Sequence, residues 1–321
     1  MPLRRMSFSL FVALVLATAC SGAAPEADSG GTSAAGSPSE GILDGEEAAE
    51  ASGDVGESTP PLPDPSASLP MDPAGLADRL TRTTRSLRHA IDDWRSSGGT
   101  GEWPPPRSVV LFALDEQRIY QILARIGERR RQATIHRLAP RIRPAARDAT
   151  FAAMRLADGL AGVVVKEPTE MRTRAPLPAD VLRGYYERAS RRFDVPWTLL
   201  AAVHFLETKF GRVVSPSWAG AQGPMQFLPS TWEAFGMGGD IHDTRDAILG
   251  AANYLSATGS PADDRAALWA YNPVDYYGDA ILAYDRLMRR DVRAYYSLYN
   301  WQVFVRAPAG LVQLTGPGAD A

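Results

Sequence analysis

The alternation of apolar and polar positions divides the 321-residue chain into unlike stretches. Arg4 and Arg5 precede an apolar run over residues 6–19. That run is shorter than the roughly 20 residues a membrane-spanning helix needs, and a basic end before a short apolar core has the form of an export signal peptide. Residues 21–70 are rich in Ala, Gly, Ser and Pro, carry ten acidic residues between Glu26 and Asp64, and contain no Lys or Arg. So little apolar surface cannot offset the entropy of ordering, and the stretch is expected to be a disordered tether reaching on the order of 40 Å. Beyond it the apolar positions recur at helical spacing. Leu76, Leu80, Leu87, Ile91 and Trp94 predict an amphipathic helix over residues 73–95, closed by Gly98-Gly99 and Pro104-Pro105-Pro106. Residues 109–126 and 145–165 predict two or three more, with Arg129-Arg130-Arg131 as a solvated face.

After the boundary marked by Pro168, Pro176 and Pro178 the pattern changes, because polar residues appear inside apolar runs where turn signals are also dense. Residues 180–193 predict a helix. Pro196 opens another, expected to run through Phe210 to a stop at Gly211. Leu199, Val203, Leu206 and Phe210 share one face of it, and Glu207 falls about 60–80° from the centre of that stripe. Asp243 is expected to cap a helix over residues 244–257, and Ser230-x-x-Glu233 has the form of a capping box. Residues 299–305 and 311–314 predict two short strands about Pro308-Ala309-Gly310. The fold class expected is mainly α. The divisions are a signal peptide (1–20), the tether (21–70), a helical annex (71–175), a second helical block (176–290) and a C-terminal hairpin and tail (291–321).

Composition removes several classes of function. A single cysteine forms no internal disulfide, and no Cys/His cluster offers a zinc site. With 34 Lys+Arg against 37 Asp+Glu the chain is no basic nucleic-acid coat, so no nucleic-acid partner is expected. The net −3 includes −10 from the tether and +2 from the first 20 residues, which leaves +5 on residues 71–321. That suits an anionic polymer outside the cell, or equally arginines solvated on helix surfaces. The lone cysteine closes Leu16-Ala17-Thr18-Ala19-Cys20, which resembles the lipobox of bacterial lipoproteins, with Ala17 where such motifs prefer Leu. The resemblance implies lipid attachment at Cys20 and anchoring to a membrane of the bacterial cell envelope; an ordinary cleaved signal or an uncleaved anchor would export the chain as well.

Glu207, at the edge of an apolar stripe, can be partly desolvated and still reach a cleft, and desolvation keeps a carboxyl protonated for general-acid work. The same position suits a boundary glutamate paired with a surface Arg or with Lys209. What distinguishes the two is the company it keeps: Glu207-Thr208, then Ser217-Trp218-Ala219-Gly220-Ala221-Gln222-Gly223-Pro224-Met225-Gln226, then Ala270-Tyr271-Asn272. In order and spacing these resemble the soluble-lytic-transglycosylase group of the lysozyme superfamily, which shows Glu-Ser, Ser-x-x-Gly-Ala-x-Gly-x-Met-Gln and Ala-Tyr-Asn. Thr208 departs from the pattern but keeps the hydroxyl.

The resemblance implies a lysozyme-like domain that cleaves the MurNAc-GlcNAc β-1,4 bond of peptidoglycan without water or cofactor, leaving a 1,6-anhydro end. Glu207 would be the acid and then the base. Ser217, Met225 and Gln226 would line the floor, and Tyr271 and Asn272 would hold the acid and the substrate N-acetyl region. Two-carboxylate hydrolases need a second acid about 5–9.5 Å from the first, and none stands in these motifs. A hydrolytic muramidase would therefore need Asp275 or Asp243 to face Glu207. A wall-binding scaffold without catalysis is the third reading, with glycan strands as partner in all three and cell-wall machinery as a further partner for the annex. The annex is otherwise a scaffold. Asp240, His242, Asp243 and Asp246 lack the spacing of a calcium loop, so no metal is expected. His204 is expected to be a packed histidine; Trp218, Phe227, Trp269, Tyr271, Tyr276 and Tyr277 are many aromatics for one small region, able to stack on sugar faces, though core packing is the default for each taken singly.

Overall fold

The structure, a computed structural model, describes residues 60–319. The signal peptide, Cys20 and most of the tether lie outside the described residues. From Leu62 onward the described chain forms one compact unit. It is mainly helical, with eleven α-helices and one small antiparallel sheet among the described residues. None of these helices is long and apolar enough to cross a membrane.

Helix α1 (Pro73–Ser96) starts where Asp72 accepts hydrogen bonds from the N–H groups of Ala74 and Gly75, with Pro73 at its first position, and it buries Leu76, Leu80, Leu87, Ile91 and Trp94. Helix α2 (Arg107–Leu123) buries polar groups along with its aliphatic face. Arg79 of α1 makes a bidentate pair with Asp115, Glu116 accepts from Ser297, and the Gln117 amide exchanges hydrogen bonds with the Gln302 backbone. Helix α3 (Glu128–Arg137) carries the arginine run, with Arg129 and Arg130 exposed as expected.

Helix α4 (Arg143–Gly159) ends six residues short of the span predicted from its apolar pattern, and residues beyond it run as loop and one short 3-10 turn. Its buried Ala146, Ala149, Ala152 and Ala153 let it lie along α10 (Asp275–Arg290), where Ala280 and Ala283 are likewise small; this is the most extensive helix–helix contact in the protein. The annex and the block over residues 176–290 therefore share one core.

Helix α5 (Ala179–Phe193) packs on α6 (Trp197–Thr208), and α7 (Pro229–Phe235), α8 (Thr244–Ala257) and α9 (Asp264–Tyr271) follow. The stripe expected on α6 is not what the fold uses. Every residue from Thr198 to Thr208 is buried, because α5, α8, α10 and α11 (Arg293–Tyr299) surround the helix. It also stops at Thr208, two residues before Phe210, as Lys209, Phe210 and Gly211 all take positive φ. Asp243 caps α8 as expected, its carboxylate accepting from the Asp246 N–H. The Ser230 capping box does not form: α7 begins at Pro229 with Leu228 before it, so Ser230 is already inside the helix and Glu233 is exposed.

The C-terminal hairpin is shorter than predicted. Strands β1 (Phe304–Ala307) and β2 (Gly310–Gln313) pair in register from Phe304↔Gln313 to Ala307↔Gly310. The aromatic run before them is α11, since its tyrosines pack inward and bond to the start of α5: the Tyr295 hydroxyl donates to the Ala179 carbonyl and Tyr296 to Asp180. Of the strand predicted over residues 299–305, Tyr299 belongs to this helix and Phe304 and Val305 fall in β1.

Candidate active site

The last turn of α6 delivers Glu207 to the end of a cleft of about 720 Å³. The side chain is 6% exposed, far more desolvated than a stripe-edge position suggests, and burial pushes its pKa up to about 8. It pairs with neither a surface arginine nor Lys209. The Lys209 ammonium lies 3.5 Å over the Phe205 ring, and its burial drives its pKa well down. The partner of Glu207 is Tyr277, on the first turn of α10, whose hydroxyl donates to Oε1 at 2.5 Å. That bond pulls the Glu207 pKa down, against the larger effect of burial. Among the described residues no donor reaches Oε2. A neutral carboxyl held by one oxygen and open at the other is the form a general acid needs near neutral pH.

Sequence reasoning passed over Tyr277 as a core aromatic. Its ring is indeed fully buried, and nothing in the local pattern separates it from Tyr276; its role comes from α10 crossing the end of α6. Tyr271 does not reach the acid. Its hydroxyl donates to the Met225 carbonyl at 2.7 Å, and its ring stacks on Tyr277 at 6.4 Å and 11°. Tyr271 thus ties the Met225 loop to the tyrosine that holds Glu207. Asn272 is 2% exposed and does not line the cleft, and neither its side-chain oxygen nor its nitrogen has a partner among the described residues. Leaving a buried polar group unpaired costs about 1–3 kcal/mol, so such an amide calls for explanation.

The loop between α6 and α7 is built from backbone that few residues tolerate. A Cβ on Gly223, at φ +74°, would sit 1.9 Å from the Ile241 carbonyl oxygen. Gln222 and Phe227 bridge across the turn, and the Gln226 amide donates to the Gly223 carbonyl. Thr208 fastens this loop to the end of the acid's helix, donating to the Pro224 carbonyl at 2.7 Å while its oxygen accepts from the Gly211 N–H. That explains why a hydroxyl follows the acid. Ser217 and Gln226 line the cleft; Met225 is fully buried beneath it and contributes its carbonyl rather than a surface. The Ser217 Oγ accepts from the Ala221 N–H and keeps its own hydrogen to donate.

The annex supplies part of the site. Val164, Val165, Lys166, Glu167, Glu170 and Met171 line the cleft with Glu207. A short ladder anchors this segment, with Thr173 bridged to Val213 and the Arg174 N–H donating to the Arg212 carbonyl, while Val165 donates to Arg306 of β1. Glu167 and Glu170 sit close enough that the neighbouring Glu167 carboxyl raises the pKa of Glu170. Asp243 and Asp275, the acids considered as second carboxylates, do not line the cleft. The Asp240–Asp246 group is engaged in local caps, with the Asp240 and His242 N–H groups donating to Asp246 and Asp240. His204 is packed: its Nδ1 lies 2.6 Å from the Tyr186 hydroxyl, and burial holds its pKa down at about 3. Trp218 and Trp269, in contrast, are 73% and 52% exposed rather than core.

Residues 213–274 match the family model of the transglycosylase SLT domain. No curated protein and no solved structure matches the chain. The matched stretch contains the Ser217–Gln226 loop, α7, α8, α9 and Asn272, and it begins just after Glu207. It supports a transglycosylase-type, lysozyme-like region directed at peptidoglycan.

Proposed function

We propose that the chain is an exported peptidoglycan lytic transglycosylase in which Glu207 alone serves as acid and then as base. The observation that carries this reading is a carboxyl buried at the end of an open cleft, kept neutral by desolvation and fixed by Tyr277. Protonated Glu207 gives its hydrogen to the oxygen bridging MurNAc and GlcNAc. The C1–O bond breaks, the GlcNAc 4-hydroxyl leaves, and the substrate's own N-acetyl oxygen stabilises the oxocarbenium-like centre. The Glu207 carboxylate, steadied by the Tyr277 hydroxyl, then takes the hydrogen of the MurNAc C6 hydroxyl as that oxygen bonds to C1. The anhydro ring closes and the acid is restored, with no water consumed. The Asn272 amide is sealed beneath the site and does not line the cleft, so Ser217 and Gln226, which do, are the amide and hydroxyl groups available to the N-acetyl group.

Hydrolysis is the second reading, because Glu167 and Glu170 line the same cleft and could activate water. Mass spectrometry of products from purified sacculi separates the two. Products lighter by one water than reducing muropeptides, absent with Glu207→Gln, support the transglycosylase. Reducing ends dependent on Glu207 support the muramidase, and sacculi bound without release support a wall-binding scaffold. Anchoring through Cys20 belongs to the same proposal; Cys20→Ala should move the protein from the membrane fraction to the soluble envelope fraction.

A further inference from the structure

Trp218 is the most exposed large apolar side chain in the described structure, and it stands in the cleft that ends on Glu207. Its backbone is fixed. The Ser217 N–H donates to the Ala221 carbonyl, the Ala221 N–H to Ser217 Oγ, and the Gly220 N–H to the Ser217 carbonyl, with Gly220 at φ +80° closing the turn. A rigid loop that holds an indole in water forgoes the burial such a ring usually gains. The annex lines the same cleft with apolar Val164, Val165 and Met171 and with exposed Lys166, Glu167 and Glu170, on a segment pinned by the 172–174 ladder and by Arg306.

We infer that Trp218 and the annex segment 164–171 form a binding subsite for one pyranose ring of the glycan beside Glu207. A pyranose has an apolar C–H face and a rim of hydroxyls. The flat indole suits the first, and carboxylate acceptors within the same cleft suit the second through charge-assisted hydrogen bonds. An extended peptide offers no comparable flat apolar face. The annex then takes part in seating the strand, so cleavage depends on residues outside the stretch that matches the transglycosylase domain. The inference rests on the glycan-cleaving assignment, yet its test does not depend on product formation.

The test is fluorescence titration of the full chain with a pentamer of β-1,4-linked N-acetylglucosamine, alongside product release from sacculi. Trp218→Ala should weaken pentamer binding about tenfold and raise KM with little change in kcat, Trp218→Tyr should recover most of the loss, and the Glu167→Gln/Glu170→Gln pair should weaken binding severalfold. Trp269→Ala, also exposed but not lining the cleft, should bind as the wild type does. Wild-type affinity in Trp218→Ala, or no pentamer binding by the wild type, would overturn the subsite. The same holds if the glutamine pair weakens only peptide-bearing muropeptides, which would point to recognition of a peptide amine. Loss of product release in Glu207→Gln with Trp218→Ala unaffected would remove the subsite and leave the proposed activity standing. Pentamer binding through Trp218 without any product would do the reverse.

Discussion

Tyr277→Phe isolates the hydrogen bond that distinguishes Glu207 from an ordinary buried carboxyl. The substitution removes one oxygen, 2.5 Å from Oε1, and leaves the ring that stacks on Tyr271 at 6.4 Å. The hydroxyl donates to the carboxyl and favours its ionised form, so its loss raises the Glu207 pKa above about 8. A hydrogen bond to a charged group is worth about 1.5–3 kcal/mol, and about 1.4 kcal/mol corresponds to one pH unit, so the displacement is about one to two pH units. As a general acid Glu207 works while protonated; activity is present below its pKa and falls as pH rises through it. The alkaline limb of kcat/KM for product release should therefore move upward in Tyr277→Phe. At the same time kcat at neutral pH should fall about tenfold, because the carboxylate formed after proton donation loses the Tyr277 hydroxyl that donates to it. An alkaline limb that stays in place or moves down would refute the assignment of Tyr277 as the group positioning the acid.

Three further outcomes follow from the geometry. Because the folded-state pKa of Glu207 lies near 8, above its ordinary 4.5, the stability it contributes is full below about pH 4.5 and is lost as pH rises through about 8. Glu207→Gln should therefore gain unfolding free energy relative to the wild type as pH rises from 5 to 8, by an amount on the order of a few kcal/mol, and parallel stability–pH curves would contradict this. Thr208→Val leaves the Pro224 carbonyl and the Gly211 N–H without partners and should cost about 1–3 kcal/mol in denaturant unfolding, whereas Thr208→Ser should retain most of the stability. Asn272→Ala removes a buried amide that has no hydrogen-bond partner among the described residues, so the variant should unfold in denaturant within about 1 kcal/mol of the wild type; a loss of about 3 kcal/mol would contradict this.

The motif residues show how far local pattern reaches. The Glu207, Ser217–Gln226 and Tyr271 blocks were legible because they depend on backbone that only certain residues allow: Gly223 against the Ile241 carbonyl, or a hydroxyl at 208 spanning two strands of loop. Helices α1, α5 and α8 and the C-terminal hairpin were legible for a similar reason, since caps, prolines and an apolar period are properties of neighbouring residues. What a residue meets from another element is not written in its neighbourhood. Helix α6 carries a readable stripe, yet it lies at the centre of the bundle and is buried all round. Tyr277 became the partner of Glu207, while Trp218 was left facing water. The annex carried no catalytic pattern of its own, and its residues 164–171 enter the cleft only because α4 lies along α10 and the hairpin pins the loop that follows. Turns, caps and periodicity are short-range effects encoded side by side in the chain, whereas burial, pKa and cleft walls arise where distant segments exclude the same water.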